Sequence, residues 1–239
     1  MRAVFYEANG PARDVLRMGE IETPGPGEGE VRVRVRLRLR MSGVNPSDVK
    51  SRGFRKSTFP RVIPHSDGAG EIEAVGRGVA KSRLGERVWI WNGQWQRPFG
   101  TAAEFITLPA AQAVRLPDTA SFEEGATLGI PALTAYHAVE QAGADQGTTL
   151  LVSGGAGSVS QYAIQFAKAR GATVIATISS LDKAEAAREA GADHCIDYKR
   201  ENVGERVAEI TDGRGVDAIT EMNLSANARL IPAVLRPKG

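Results

Sequence analysis

The residues Gly154-Gly155-Ala156-Gly157-Ser158-Val159-Ser160 stand between an apolar run, TLLV, and the segment QYAIQFAK, whose apolar residues recur at helical spacing. The chemistry open to such a turn is phosphate binding. It scans as G-x-G-x-x-S from Gly155, or as G-x-x-G-x-x-S from Gly154. In a dinucleotide site the glycines supply a tight turn, close backbone approach to the pyrophosphate and close packing of helix on strand. Free N–H groups at the helix start then face the phosphates. Ser160 takes the third small-residue position, where size matters more than positive φ, so serine is tolerated there at some cost in packing. The alternative is a glycine-rich turn that holds nothing. The strand before it, the helix after it and three further strand–helix units favour the dinucleotide.

The next strand bears on which dinucleotide. An acidic residue at its end would bind the ribose hydroxyls and repel a 2′-phosphate. Here the strand ends Ala176-Thr177-Ile178-Ser179-Ser180, with hydroxyls and no carboxylate, and Lys183 follows in the first turn of the next helix. Lys183 alone also reads as an ordinary exposed helix lysine. Together with the missing carboxylate it points to NADPH.

These residues need a parallel sheet to position them. Strands are expected near 149–153, 173–178, 194–197 and 216–221, with helices near 158–169, 182–190, 201–211 and 225–235. Repeated units of this length imply parallel strands covered on both faces. The first 120 or so residues read differently: short strands at Val4-Phe5-Tyr6, 68–76, 86–91 and 102–108, punctuated by Gly, Pro and Asn, suggest a small, partly closed barrel. Pro117-Asp118 and a capping box at Ser121-Phe122-Glu123-Glu124 then start a helix. The division falls at 1–124 and 125–239.

The run VRVRVRLRLRM (31–41) alternates apolar residues with Arg32, Arg34, Arg36, Arg38 and Arg40. A period of two places the arginines on one face of a strand. A solvated face is favoured over a nucleic-acid stripe, because no aromatic residues interleave for base stacking. Thirty basic against 28 acidic residues leave +2, too balanced to imply a nucleic-acid or membrane partner. Cys195 is the single cysteine, which excludes an internal disulfide and a thiolate-rich metal site. No stretch has the length of a signal peptide's apolar run or of a membrane span, so a cytoplasmic protein is expected.

The stretches SGVNPSDVKSRG (42–53), IPHSDGAGEIEAVGRGV (63–79), GERVW (85–89), GTAAEF (100–105) and LGIPALTAYHAV (128–139) occur in this order before the 151–198 region. In that combination the chain resembles the zinc-independent quinone oxidoreductases, the ζ-crystallin-like branch of the medium-chain dehydrogenase/reductase superfamily. The resemblance implies an α/β protein: an N-terminal GroES-like β-barrel domain, then a Rossmann-type parallel sheet domain. It implies NADPH-dependent hydride transfer to quinones or electrophilic enones, and a homodimer. Zinc-dependent members of the superfamily have a cysteine ligand where this chain has Asn45 and a histidine ligand where it has Ser66. Neither replacement is a good zinc donor, and His65 is one donor without a set.

By the same resemblance Asn45 sits beside the nicotinamide end with Thr134 as a second contact, these two being the candidate catalytic positions. Tyr198 joins Lys183 at the 2′-phosphate, and Asn223 follows the fourth strand near the nicotinamide ribose. The candidate cofactor contacts are thus Asn45, Thr134, Gly154, Gly155, Gly157, Ser158, Val159, Ser179, Lys183, Tyr198 and Asn223. Asp48 is expected to fix its loop rather than transfer protons. Trp89, Trp91 and Trp95 read equally as the wall of an aromatic substrate pocket or as ordinary strand packing. No residue stands out as general acid, so the proton is expected from solvent. Family members continue with two more parallel strands, so the sheet is expected to be incomplete relative to the family, with its fourth strand at an edge. A non-catalytic NADPH-binding or structural role, or an inactive fragment, is the alternative to the enzyme.

Overall fold

The structure, a computed structural model, describes residues 1–34, 42–54, 58–237 and 239. The chain forms two compact units, Met1–Ile130 and Pro131–Gly239. The expected division after 124 and this one bracket the segment that follows the capping box.

The first unit holds β1 (Arg2–Phe5), α1 (Ala12–Val15), β2 (Arg17–Glu20), β3 (Glu30–Arg34), β4 (Ser42–Gly43), α2 (Pro46–Phe54), β5 (Asp67–Val75), β6 (Arg87–Ile90), β7 (Phe105–Pro109), β8 (Ala113–Arg115) and α3 (Phe122–Gly125). Strands β1 and β2 pair with each other. The others form an antiparallel sheet in the order β7-β3-β5-β6-β8, with β4 added to β5. Alternate residues turn one face inward: Val31, Val33, Ile72, Val88, Ile90, Ile106 and Leu108 are buried together. On the opposite face of β3, Arg32 lies 3.7 Å from Glu73 and Arg34 lies 3.2 Å from Glu71, cross-strand pairs along a solvated surface. The expected alternation holds through Arg34; Arg36, Arg38 and Arg40 lie outside the described residues. The capping box is present, Glu124 N–H donating to the Ser121 hydroxyl and Ser121 N–H to the Glu124 carboxylate. It opens a helix of four residues.

The second unit holds α4 (Leu133–Gln141), β9 (Thr149–Val152), α5 (Ser158–Ala169), β10 (Thr173–Ile178), α6 (Leu181–Glu189), β11 (His194–Asp197), α7 (Val203–Ile210), β12 (Ala218–Thr220), α8 (Leu224–Asn227) and α9 (Ile231–Val234). The four strands are parallel, in the order β11-β10-β9-β12. All of β9 is buried, as a central parallel strand covered on both faces must be. Helix α5 buries Ser160, Ala163, Ile164 and Ala167, a stripe at i, i+3, i+4 and i+7. The single helix expected over 225–235 is instead two short ones. Pro232 explains the break, since its ring cannot accept the turn before it and it lacks the N–H that a continuous helix needs. Just before β12, Val216 and Leu235 form a parallel bridge. Among the described residues no helix is long and apolar enough to cross a membrane.

Candidate dinucleotide-binding site

The order β11-β10-β9-β12 puts a topological switch between β9 and β12, because the chain runs outward from β9 to β11 and then returns to its other side. Open parallel sheets bind ligands at the carboxyl ends of the strands beside such a switch. The glycine turn leaves β9 there. Gly154 has φ +62, a left-handed conformation that costs glycine nothing. Its N–H donates to the Thr177 hydroxyl at 3.0 Å, and the Gly155 N–H to the Thr177 carbonyl at 2.8 Å, tying the turn to the end of β10. A Cβ on Gly155 would lie 2.8 Å from the Ala176 Cβ and 3.1 Å from the Ala187 Cβ. Gly155 is therefore buried beneath the turn and lets it sit down on β10 and α6. A Cβ on Gly157 would approach the Gly154 carbonyl oxygen to 3.3 Å. Helix α5 starts at Ser158 and Val159 with no side-chain cap on its first N–H groups. Ser160 is buried, and its hydroxyl donates to the Ser153 carbonyl at 2.9 Å.

Gly154, Ala156, Gly157, Ile178, Ser179, Lys183 and Tyr198 line one cavity of about 350 Å³. Lys183 Nζ donates to the Ser179 hydroxyl at 2.9 Å. Ser180 caps α6 by accepting from the Lys183 N–H, so the lysine sits in the first turn, as expected. The Tyr198 ring is exposed, and its N–H is fixed to the Ile178 carbonyl at 3.1 Å. A second cavity of about 240 Å³ shares Gly154 and Tyr198 and continues past Ser153, Thr177, Glu221 and Asn223. There Glu221 Oε1 accepts from the Ser153 hydroxyl at 2.9 Å, the Asn223 N–H at 2.5 Å and the Asn227 side-chain amide at 2.9 Å. The Met222 N–H donates to the Ser153 hydroxyl at 2.8 Å. One carboxylate thus joins the start of the glycine turn to the loop that carries Asn223. Sequence reading missed Glu221 and Thr177, whose partners lie 68 and 23 residues away and leave no local signal.

In the first unit, Asn45 and Asp48 lie at the start of α2. Asp48 accepts from the Asn45 N–H at 2.7 Å, which is the loop-fixing contact expected of it. Burial raises its pKa to about 6, against the lowering effect of that N–H, and Asp67 adds to the rise. The Asn45 side chain is buried and donates to Asp67 at 2.7 Å. Asp67 also accepts from the Ile130 N–H at 2.9 Å, and burial pushes its pKa up as well.

A chain of hydroxyls runs beside this pair. Thr101 donates to the Asp67 carbonyl at 2.6 Å, so its one hydrogen is spent. Ser42, 2.8 Å from Thr101, must donate to it, and must therefore accept from His65 Nδ1, also 2.8 Å away. His65 is thus a hydrogen-bonded histidine with its proton on Nδ1, and burial lowers its pKa. Its backbone has φ +79, uncommon for any side chain but glycine. Among the described residues no cluster of three or more His, Cys, Asp or Glu side chains could hold a metal ion. Trp91 is half-buried and donates to the Ala111 carbonyl at 3.3 Å, Trp89 is half-buried on β6, and Trp95 is exposed. Thr134, in α4 of the second unit, is exposed.

Two domain families match the sequence: the alcohol dehydrogenase GroES-like domain over residues 27–118 and the zinc-binding dehydrogenase domain over residues 158–239. A quinone oxidoreductase of Pseudomonas aeruginosa is 41% identical over 150 residues, covering 62% of this chain and 45% of that protein. The chain spans about half the length of the curated relatives it matches. A solved quinone oxidoreductase of Pseudomonas syringae pv. Tomato superposes with a TM-score of 0.87 at 32% identity, covering 100% of this chain and 71% of that one. An Escherichia coli quinone oxidoreductase solved in complex with NADPH superposes with a TM-score of 0.86 at 27% identity, covering 100% of this chain and 71% of that one.

Proposed function

The chain belongs to the quinone oxidoreductase branch of the medium-chain dehydrogenase/reductase superfamily, and from that membership we propose that it serves the NADPH-dependent reduction of quinones or related electrophilic enones, without zinc. The observation that carries the cofactor assignment is the wall of the larger cavity, where Lys183, Ser179 and Tyr198 join Gly154 and Gly157 with no carboxylate among the lining residues. That set fits NADPH on its own chemistry: a cation and two hydroxyls for a 2′-phosphate, and a turn of three glycines and one alanine with an uncapped helix start for the pyrophosphate.

Bound NADPH supplies the hydride. The chain's own residues bind and orient. We assign Gly154, Gly155, Gly157, Ser158 and Val159 to the pyrophosphate turn, with Gly155 acting through packing. Asn223 is assigned to the nicotinamide ribose, its loop held by Glu221. Asn45 and Thr134 are assigned to the nicotinamide end on the family resemblance. Removing water from the reacting groups and holding them in line is then the protein's contribution to the rate.

Zinc-free action is supported by the donors present. Asn45 and Ser66 are poor zinc ligands, the Asn45 amide is committed to Asp67, and His65 Nδ1 is committed to Ser42. The same membership supports a cytoplasmic homodimer acting on a small molecule. Pairing of Arg32 and Arg34 with glutamates supports the absence of a nucleic-acid partner. Following NADPH oxidation with a panel of quinones tests the proposal. Turnover supports the reductase; a chain that binds NADPH and turns over none of them is a binding protein instead.

A further inference from the structure

Asp67 is 1% exposed, yet among the described residues no cation contacts its carboxylate. Among the described residues both partners of the carboxylate are uncharged N–H groups on Oδ2: the Asn45 amide at 2.7 Å and the Ile130 backbone at 2.9 Å. Oδ1 is buried and has no hydrogen-bond partner among the described residues. Burying a carboxyl group with half of its accepting capacity unused is costly, and a fold that needed only packing would do better with an apolar side chain. The surroundings are shaped around this group. A Cβ on Gly129 would lie 2.1 Å from Asp67 Oδ1, and one on Gly43 would lie 2.9 Å from the Asp67 Cβ.

Asn45 is arranged with equal care. Its backbone N–H is held by Asp48, so the side chain leaves from a fixed point. An asparagine at the start of a helix commonly turns its side chain back to cap the first N–H groups. The Asn45 side chain instead reaches Asp67, 22 residues away. Asp67 Oδ2, already accepting from the Ile130 N–H, accepts the amide hydrogen too, and so holds the amide nitrogen inward and the carbonyl oxygen outward. Asn45 Oδ1 has no hydrogen-bond partner among the described residues.

We propose that Asp67 is a positioning residue that locks the Asn45 amide in one of its two flips, so that Asn45 presents a hydrogen-bond acceptor to a donor on the bound cofactor. This rests on the assignment of Asn45 to the nicotinamide end. The ligand group it selects is a hydrogen-bond donor, a sugar hydroxyl or a carboxamide N–H. An asparagine free to flip would offer donor or acceptor indifferently.

The test combines cofactor affinity with a measurement on the free chain. NADPH is titrated by fluorescence into the unaltered 239-residue chain and into Asn45→Ala, Asp67→Ala, Asp67→Asn and the double variant Asn45→Ala/Asp67→Ala. Asn45→Ala and Asp67→Ala are each expected to weaken NADPH about tenfold, the effect of one lost hydrogen bond in a buried site. The double variant should be no weaker than Asn45→Ala alone, because Asp67 acts through Asn45. Asp67→Asn keeps an oxygen for both N–H groups and should recover much of the loss, without the lower melting temperature that a merely structural role predicts.

In the free chain, one Asn45 side-chain amide hydrogen should resonate downfield and exchange slowly in the NMR spectrum. This reading stands even if Asp67→Ala does not fold or NADPH does not bind. Full affinity in Asp67→Ala while Asn45→Ala is weakened, additive losses in the double variant, or a fast-exchanging Asn45 amide would each overturn the positioning role. Full affinity in Asn45→Ala would instead remove the assignment of Asn45 to the cofactor, and the inference with it.

Discussion

The Ser160 hydroxyl donates to the carbonyl oxygen of Ser153 across 2.9 Å, closing the turn between β9 and α5 on itself. This answers why a serine can stand where a third glycine is expected. The side chain is buried, and its polar atom satisfies a backbone acceptor that a glycine would leave to other partners. Ser160→Ala should cost about 1 kcal/mol in urea denaturation, the value of one internal hydrogen bond. Ser160→Val should cost more, about 1–3 kcal/mol, because extra atoms must enter a packed site. Equal stability of all three chains would contradict this account of the turn.

Gly154 and Gly155 should respond differently to alanine. At Gly154 nothing lies within 4 Å of an added Cβ, and the difficulty is φ +62. Gly154→Ala should therefore cost about 1–2 kcal/mol through strain alone. At Gly155 the added Cβ would press on Ala176 at 2.8 Å, so Gly155→Ala must move β10 or α6. The expected outcome is that Gly155→Ala lowers the melting temperature and NADPH affinity together, and the double change Gly155→Ala/Ala176→Gly restores part of both.

Lys183 Nζ lies 2.9 Å from the Ser179 hydroxyl in the lining of the larger cavity. A charge-assisted hydrogen bond contributes about 1.5–3 kcal/mol, so Lys183→Ala should weaken NADPH by about ten- to a hundredfold. NADH lacks the 2′-phosphate and should be affected little. Isothermal titration of both cofactors into both chains checks this, and parallel losses for the two would place Lys183 elsewhere.

Asp48 makes stability depend on pH. Its folded pKa of about 6 exceeds the value near 3.9 of an unfolded aspartate, so the folded chain holds the proton more tightly. Its contribution is fully present below about pH 4, is lost as pH rises through about 6, and is constant above that. Asp48→Asn keeps an oxygen for the Asn45 N–H and removes the loss. The variant should match the parent chain near pH 4 and exceed it by about 2 kcal/mol near pH 7 in denaturant titrations. A constant difference across that range would show that Asp48 is not the titrating group.

The parallel sheet was legible because its signals are local. TLLV, the glycine turn and the stripe of α5 lie within some twenty consecutive residues, and period and turn chemistry agree. Ser179 and Lys183 were legible as the end of β10 and the first turn of α6, whereas Tyr198 came from the family resemblance and not from spacing. The break between α8 and α9 was legible in principle from Pro232, but the apolar spacing over 225–235 outweighed it. Asp67 and Glu221 were not legible. Asp67 works through Asn45 and Ile130, and Glu221 reaches back to Ser153, all far along the chain, and an isolated carboxylate in a sequence carries no sign of such partners. Nothing in the sequence gives the tautomer of His65, which follows only from the direction of the hydroxyl chain through Ser42 and Thr101.

The most direct test of the central claim is a fluorescence titration of the 239-residue chain with NADPH and, separately, with NADH. A working site built from the glycine turn, Ser179, Lys183 and Tyr198 predicts saturable binding with NADPH favoured at least about tenfold. Equal affinities, a preference for NADH, or no binding of either would contradict it.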